Sequence, residues 1–153
     1  MIQRIQSVYL FLVAVLMIVV AFIPLGFYVG EDGATSTLKA WGLEMLQDGN
    51  SDICAWGLMA IALLAAIIAV ATIFLFKNRP LQIRLTWFNV LVLVGWYVVL
   101  AIFIMKYDEL LVSASFHCAL GASFPAVSVI LSILALRAIR KDECLVKAAD
   151  RLR

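Results

Sequence analysis

The side chains that could do chemistry are few and scattered along the chain. His117 is the only histidine, and it adjoins Cys118, while the arrangement of spans derived below puts Cys54 at a similar depth. Zinc sites usually take three or four protein ligands, so these residues on two helices are a thin set for a metal or redox centre. We favour a histidine near a membrane surface that is hydrogen-bonded to a neighbouring helix.

Motifs for other chemistries are absent from the sequence. It contains no Walker loop, nucleophile elbow, His-Glu-x-x-His or glycine-rich nucleotide fingerprint. The cysteines Cys54, Cys118 and Cys144 have no C-x-x-C spacing. A disulfide between Cys54 and Cys118 stays open, but unpaired cysteines inside a helix bundle are the interpretation we favour. The sequence therefore predicts no enzyme, and no catalytic, cofactor-binding or metal-binding residues.

Four charge-free stretches dominate the chain. They are 5–30, 53–76, 85–105 and 110–136. A helix of about 20 apolar residues crosses the hydrocarbon core of a bilayer, so each stretch is long enough for one crossing. Hydrophobic residues make up 65% of the 153 residues, which excludes an ordinary soluble protein. We expect an all-α integral membrane protein, a single membrane domain with four transmembrane helices at 3–27, 52–76, 81–105 and 110–150.

The charges outside these stretches sort by sign. Residues 31–52 hold five acids and one base, residues 77–84 hold three bases and no acid, and residues 137–153 hold six bases and three acids. Because basic segments stay in the cytoplasm, we expect both termini to be cytoplasmic and the loop 29–51 to face outward. The fourth helix should then extend into the cytoplasm as a basic amphipathic helix.

The outward loop carries its own pattern. Glu31-Asp32-Gly33 is a turn signal between two short segments, 28–29 and 35–38, and favours a β-hairpin. Apolar residues at helical spacing within 37–47 favour a short helix on the membrane surface.

Single residues inside the spans add detail. Pro125 lies in the middle of the fourth charge-free stretch, where it predicts a kink. Asn89 should hydrogen-bond across to a neighbouring helix, as polar groups in lipid usually do. Small four-helix multidrug exporters need an intramembrane carboxylate, and none of the four stretches has one.

Three segments together resemble a known family. They are Met1-Ile-Gln-Arg-Ile-Gln, Phe76-Lys-Asn-Arg-Pro-Leu-Gln-Ile-Arg-Leu85 and Ile139-Arg-Lys-Asp-Glu-Cys-Leu-Val-Lys-Ala-Ala-Asp-Arg-Leu-Arg153. With them, the chain resembles an uncharacterised family of small four-helix bacterial inner-membrane proteins, catalogued as a domain of unknown function. The resemblance implies the topology above and a bacterial cytoplasmic membrane, but no activity. It directs attention to the cytoplasmic face, because all three segments lie there.

The function we predict is non-enzymatic: an accessory, scaffold or assembly protein of the inner membrane. Its partners would be the lipid bilayer and a membrane or cytoplasmic protein, without nucleic acid or a cofactor, and self-association of the chain stays open. The interaction surface would use Arg79, Gln82, Arg84, Arg140, Lys141, Asp142, Glu143, Asp150 and Arg151. The rival hypothesis is a binder or transporter of lipid or another small molecule, with a cavity near Asn89, His117, Pro125 and Ser128.

Overall fold

The computed structural model describes residues 3–30, 35–45, 56–75, 78–110 and 114–151, with side chains for most of them. The helices of this part of the chain are α1 (Gln3–Phe22), α2 (Trp56–Phe74), α3 (Arg79–Leu110), a 3-10 helix (Leu120–Ser123) and α4 (Phe124–Arg151). The strands are β1 (Gly26–Gly30), β2 (Thr35–Lys39), β3 (Gly42–Met45) and β4 (Ala114–Cys118). Each of the four α-helices is long and apolar enough to cross a membrane.

The four helices pack as a closed ring of neighbours. Helix α1 lies against α2 and α4, and α3 lies against the same two helices from the opposite side. Small side chains make α2 narrow: Ala62, Ala65, Ala66 and Ala69 are all buried. Small residues allow helix backbones to approach closely. In lipid, where the hydrophobic effect does not drive helices together, such close packing is one of the forces that hold them together.

A four-stranded antiparallel sheet closes one end of the bundle. Its strand order is β3-β2-β1-β4, so β1 is paired on both sides. Side chains alternate across the sheet: Tyr28, Leu38 and Leu43 are buried, whereas Phe27 is 38% exposed. We call this end of the bundle the sheet end. The opposite end, where α3 begins and α4 carries its charges, is the charged end.

The sheet corrects the prediction of an all-α protein. The hairpin predicted around residues 31–33 is confirmed, since β1 pairs with β2 through Tyr28 and Ser36. The surface helix predicted within 37–47 is wrong, because β3 turns back onto β2 there and completes its hydrogen bonding. The predicted start of the fourth helix at residue 110 is also wrong: α3 continues to Leu110, and β4 follows before α4 begins. A charge-free segment fits a strand as well as a helix, and only pairing with β1 distinguishes them.

The two prolines near the sheet end act as helix boundaries. Helix α1 ends at Phe22, short of the predicted residue 27, because Pro24 has no N–H to continue the helical hydrogen bonding. Pro125 lies in the first turn of α4, where a missing N–H costs nothing. The prediction that Pro125 lies in the middle of the fourth helix is therefore wrong, since α4 begins at Phe124, directly after the 3-10 helix.

Gly121 permits the close approach of these two boundaries. A Cβ atom at position 121 would collide with the carbonyl oxygen of Pro24 and lie 3.1 Å from the side chain of Ile23. By contrast, a Cβ atom on Gly95, inside α3, would meet nothing within 4 Å.

We therefore expect opposite effects from two glycine substitutions. Gly121→Ala should lower the free energy of unfolding by about 1–3 kcal/mol, because backbone must shift to admit the methyl group. Gly95→Ala should raise it by about 0.5–1 kcal/mol, the usual gain from removing a glycine inside a helix. Unfolding in one detergent measures both, and equal effects of the two substitutions would contradict the close approach at Gly121.

Candidate functional site

An ion pair joins α3 to α4 at the charged end. The Nη1 atom of Arg79 lies 3.2 Å from Oδ2 of Asp142, and it also donates a hydrogen bond of 3.1 Å to the backbone carbonyl of Asp142. The two side chains are only 27% and 18% exposed, so water screens the pair less than it screens a surface pair. The pair links α4 to the start of α3.

A second contact between α3 and α4 joins Trp87 to Arg140. The guanidinium carbon of Arg140 lies 5.9 Å from the ring centroid of Trp87, in the range of a cation–π interaction. Both side chains are also exposed. Arg140 therefore has a defined position on the surface of the bundle.

The structure separates the predicted interaction surface into three groups. Exposed side chains belong to Arg84, Arg140 and Lys141. Partly buried ones belong to Arg79, Asp142 and Glu143. Gln82 is only 5% exposed and points into the bundle, which withdraws it from the surface. The side chains of Asp150 and Arg151 lie outside the described part of the chain.

Two residues of this surface were missed from the sequence. Trp87 comes one helical turn after Arg84 on α3, and Arg137 comes one turn before Lys141 on α4; both are exposed. Spacings of three and four residues place such pairs side by side on a helix, so this signal was available. We use the term basic surface for the exposed residues Arg84, Trp87, Arg137, Arg140 and Lys141.

The residues of the predicted cavity lie in different parts of the molecule. Asn89 and Ser128 are fully buried within the bundle, and the hydroxyl of Ser128 donates 3.0 Å to the carbonyl of Phe124. Pro125 is buried at the start of α4. His117 is exposed on β4 at the sheet end, where its Nε2 atom lies 3.2 Å from the hydroxyl oxygen of Ser115.

A different, apolar cavity opens beside the sheet end. It has a volume of about 560 Å³ and lies between α3 and the segment from β4 to the 3-10 helix. Leu100, Ile104 and Leu120 line it, together with Tyr97, whose hydroxyl donates 2.7 Å to the carbonyl of Ala122. Cys118 also faces this cavity and is a free thiol, while its potential partner Cys54 lies outside the described residues.

Two titratable groups at the sheet end have shifted pKa values. Burial, followed by the charge of Asp108, raises the pKa of Tyr28 well above its ordinary value. A hydrogen bond from Lys39, whose Nζ atom lies 2.7 Å from Oε2, lowers the pKa of Glu44. The hydrogen bond from Lys39 stabilises the ionised form of Glu44, whereas the shift of Tyr28 keeps its phenol group uncharged. No cluster of three His, Cys, Asp or Glu residues that could hold a metal ion occurs in the described ranges.

These features define a class of protein. Four helices of membrane-spanning length form a bundle, with a small sheet at one end and an ion pair between α3 and α4 at the other. The model of one family, described as a domain of unknown function (DUF4293), matches residues 2–152, and the chain belongs to this family. The resemblance to an uncharacterised family is thereby confirmed. No curated protein matches the sequence.

We expect Arg79→Ala to release α4 at the charged end. A partly exposed ion pair contributes about 0.5–1 kcal/mol, so backbone amides of 137–144 should exchange hydrogen roughly two to five times faster. Hydrogen–deuterium exchange with mass spectrometry measures this. Arg84→Ala is the matched control, because it removes the same charge from an exposed position on the same helix. Equal exchange in the two variants would show that the ion pair does not hold α4.

Proposed function

We propose that this chain is a non-enzymatic accessory, scaffold or assembly protein of a bacterial inner membrane, and that it docks a protein partner on its basic surface. The observation that carries the proposal is the ion pair of Arg79 with Asp142, which is 3.2 Å long. The pair joins α3 to α4 beside the basic surface, and the contact of Arg140 with Trp87 brings residues of the two helices together on that surface. A surface that is built in this way is suited to recognition.

The orientation that we propose follows from charge. All five residues of the basic surface lie at the charged end, which the positive-inside rule assigns to the cytoplasm. The sheet end, with Glu44 and Asp108, would then face outward. Helix α3 has 32 residues, well beyond the roughly 20 that a bilayer core requires, so its first turns can reach the headgroup region and the water beyond.

The chemistry of the basic surface indicates the kind of partner. Arginine and tryptophan are the residues that most often dominate binding energy at protein interfaces. Here Arg140 is placed against Trp87, so less side-chain entropy is lost when a partner binds. A partner that presents carboxylates at the membrane surface would be complementary to it.

The experiment compares two double variants that each remove two positive charges. Arg84→Ala with Arg140→Ala alters the basic surface, whereas Lys39→Ala with Lys106→Ala alters exposed or half-exposed bases outside it. Each tagged protein is purified from native membranes in mild detergent, and mass spectrometry quantifies what accompanies it. We expect a stoichiometric partner with the unaltered protein and the control, and at least tenfold less of it with the first variant.

Two results would contradict the proposal. One is a partner retained equally by both double variants, which would place the interface elsewhere. The other is a protein that purifies alone or only with lipid, which would favour lipid binding as the function.

Lipid binding is the second candidate function, and the apolar cavity of about 560 Å³ favours it. The cavity opens between α3 and the 3-10 helix, on a surface that would face acyl chains in a bilayer. Ala119→Trp would fill the cavity, and it should abolish a lipid that co-purifies with the unaltered protein. Retention of that lipid by the variant would exclude this cavity as its site.

A further inference from the structure

The inward face of α3 divides the core into two chemically different halves. Six buried residues of α3 follow one another at spacings of three and four, which keeps them on one face of a helix. They are Gln82, Thr86, Asn89, Leu93, Trp96 and Leu100, and none is more than 5% exposed. The three nearer the charged end are polar and the three nearer the sheet end are apolar.

The neighbouring helices follow the same division. The Nε1–H of Trp96 donates 3.1 Å to the carbonyl of Leu58. Helices α2 and α3 run antiparallel, and Thr72 lies as many residues from Leu58 along α2 as Gln82 lies from Trp96 along α3. Thr72 and Gln82 are therefore at the same level of the bundle. Helices α3 and α4 are joined by the ion pair of Arg79 with Asp142. Asn89 lies as many residues from Arg79 along α3 as Ser132 lies from Asp142 along α4. Asn89 and Ser132 are therefore at the same level of the bundle.

Helix α1 completes the set. Gln6 lies in its second turn, near the charged end, and is only 4% exposed. The half of the core near the charged end therefore receives buried polar side chains from all four helices. We call this half the polar core.

The hydrogen bonds of the polar core are incomplete within the described protein. Thr72 and Thr86 each donate to a carbonyl of their own helix, at 2.6 and 2.8 Å. The side-chain amide of Asn89 has no hydrogen-bond partner at Nδ2 or at Oδ1, and the same holds for Nε2 of Gln6 and Oγ of Ser132. Buried polar groups of this kind are rarely left unpaired, because desolvation without a partner is costly.

We propose that Asn89, Ser132 and Gln6 bind water inside the bundle. The unpaired atoms offer both donors and acceptors and carry no net charge, so they suit a small neutral ligand that can donate and accept at once. Buried waters in proteins typically make about three hydrogen bonds to groups such as these. Water at this position would link α3 to α4 at the level of Asn89 and Ser132. The proposal does not depend on the docking of a partner.

The apolar half of the core provides an internal comparison. There, the polar atom of Trp96 already has a protein partner, the carbonyl of Leu58, and its ring is fully buried. The indole N–H of Trp96 should therefore remain dry, although it lies on the same face of the same helix as Asn89.

Water-edited solid-state NMR on the full chain in phospholipid vesicles tests the proposal. In this experiment, magnetisation passes from water protons to nearby N–H groups. We expect the side-chain amides of Asn89 and Gln6 to receive it several-fold faster than the indole N–H of Trp96. Asn89→Leu assigns the Asn89 signal by removing it. Transfer to Asn89 as slow as transfer to Trp96 would overturn the proposal.

A second variant tests the shared water. Ser132→Ala removes one hydroxyl group without adding bulk, and we expect it to slow the transfer from water to Asn89 at least twofold. Ser128→Ala is the matched control, since its hydroxyl is bonded to Phe124 on its own helix. If both serine variants leave the Asn89 signal unchanged, Ser132 does not share the water.

Discussion

The pairing of β1 with β4 is the interaction on which the rest of the structure depends. Strand β1 continues from α1, whereas β4 lies between α3 and α4, so their hydrogen bonds join the first helix to the second half of the chain. Next to this pairing, Ala119 donates a hydrogen bond of 3.0 Å to the carbonyl of Leu25. Apolar helices satisfy their own backbone, but the segments between them must find partners, and the sheet provides these partners in one place.

Sequence reasoning recovered the helices better than the strands, for a physical reason. The absence of charge over 85–105 is a strong indication of a membrane-length helix, because a charge is costly at that depth. The hairpin was also predictable, since Glu31-Asp32-Gly33 is a turn signal in the sequence between the segments that became β1 and β2. Strand β4 has no such mark: Ala114–Cys118 is charge-free and continuous with apolar sequence, and its conformation depends on β1, more than eighty residues away.

The interaction surface was predictable in composition but not in geometry. The density of polar residues pointed to Gln82 and Arg84 together. Two positions along a helix differ by a rotation of about 200°, so Arg84 is exposed while Gln82 is buried. The ion pair between Arg79 and Asp142 spans 63 residues of sequence and depends on the register of α3 against α4. Only the packing of the bundle determines that register.

The two ends of the bundle are held in different ways, and this bears on where the protein can respond to a partner. At the sheet end, Tyr28 packs against Tyr107 and Phe116, and strand hydrogen bonds add to this packing. At the charged end, buried polar side chains replace apolar ones, and hydrogen bonds between helices in lipid typically contribute only about 0.6 kcal/mol. The proposed water would link side chains of the polar core that have no hydrogen bond to one another in the described protein, whereas the aromatic rings at the sheet end pack directly against each other. The basic surface is at the charged end, so a partner that binds there would lie next to the half of the core whose buried polar atoms lack protein partners among the described residues.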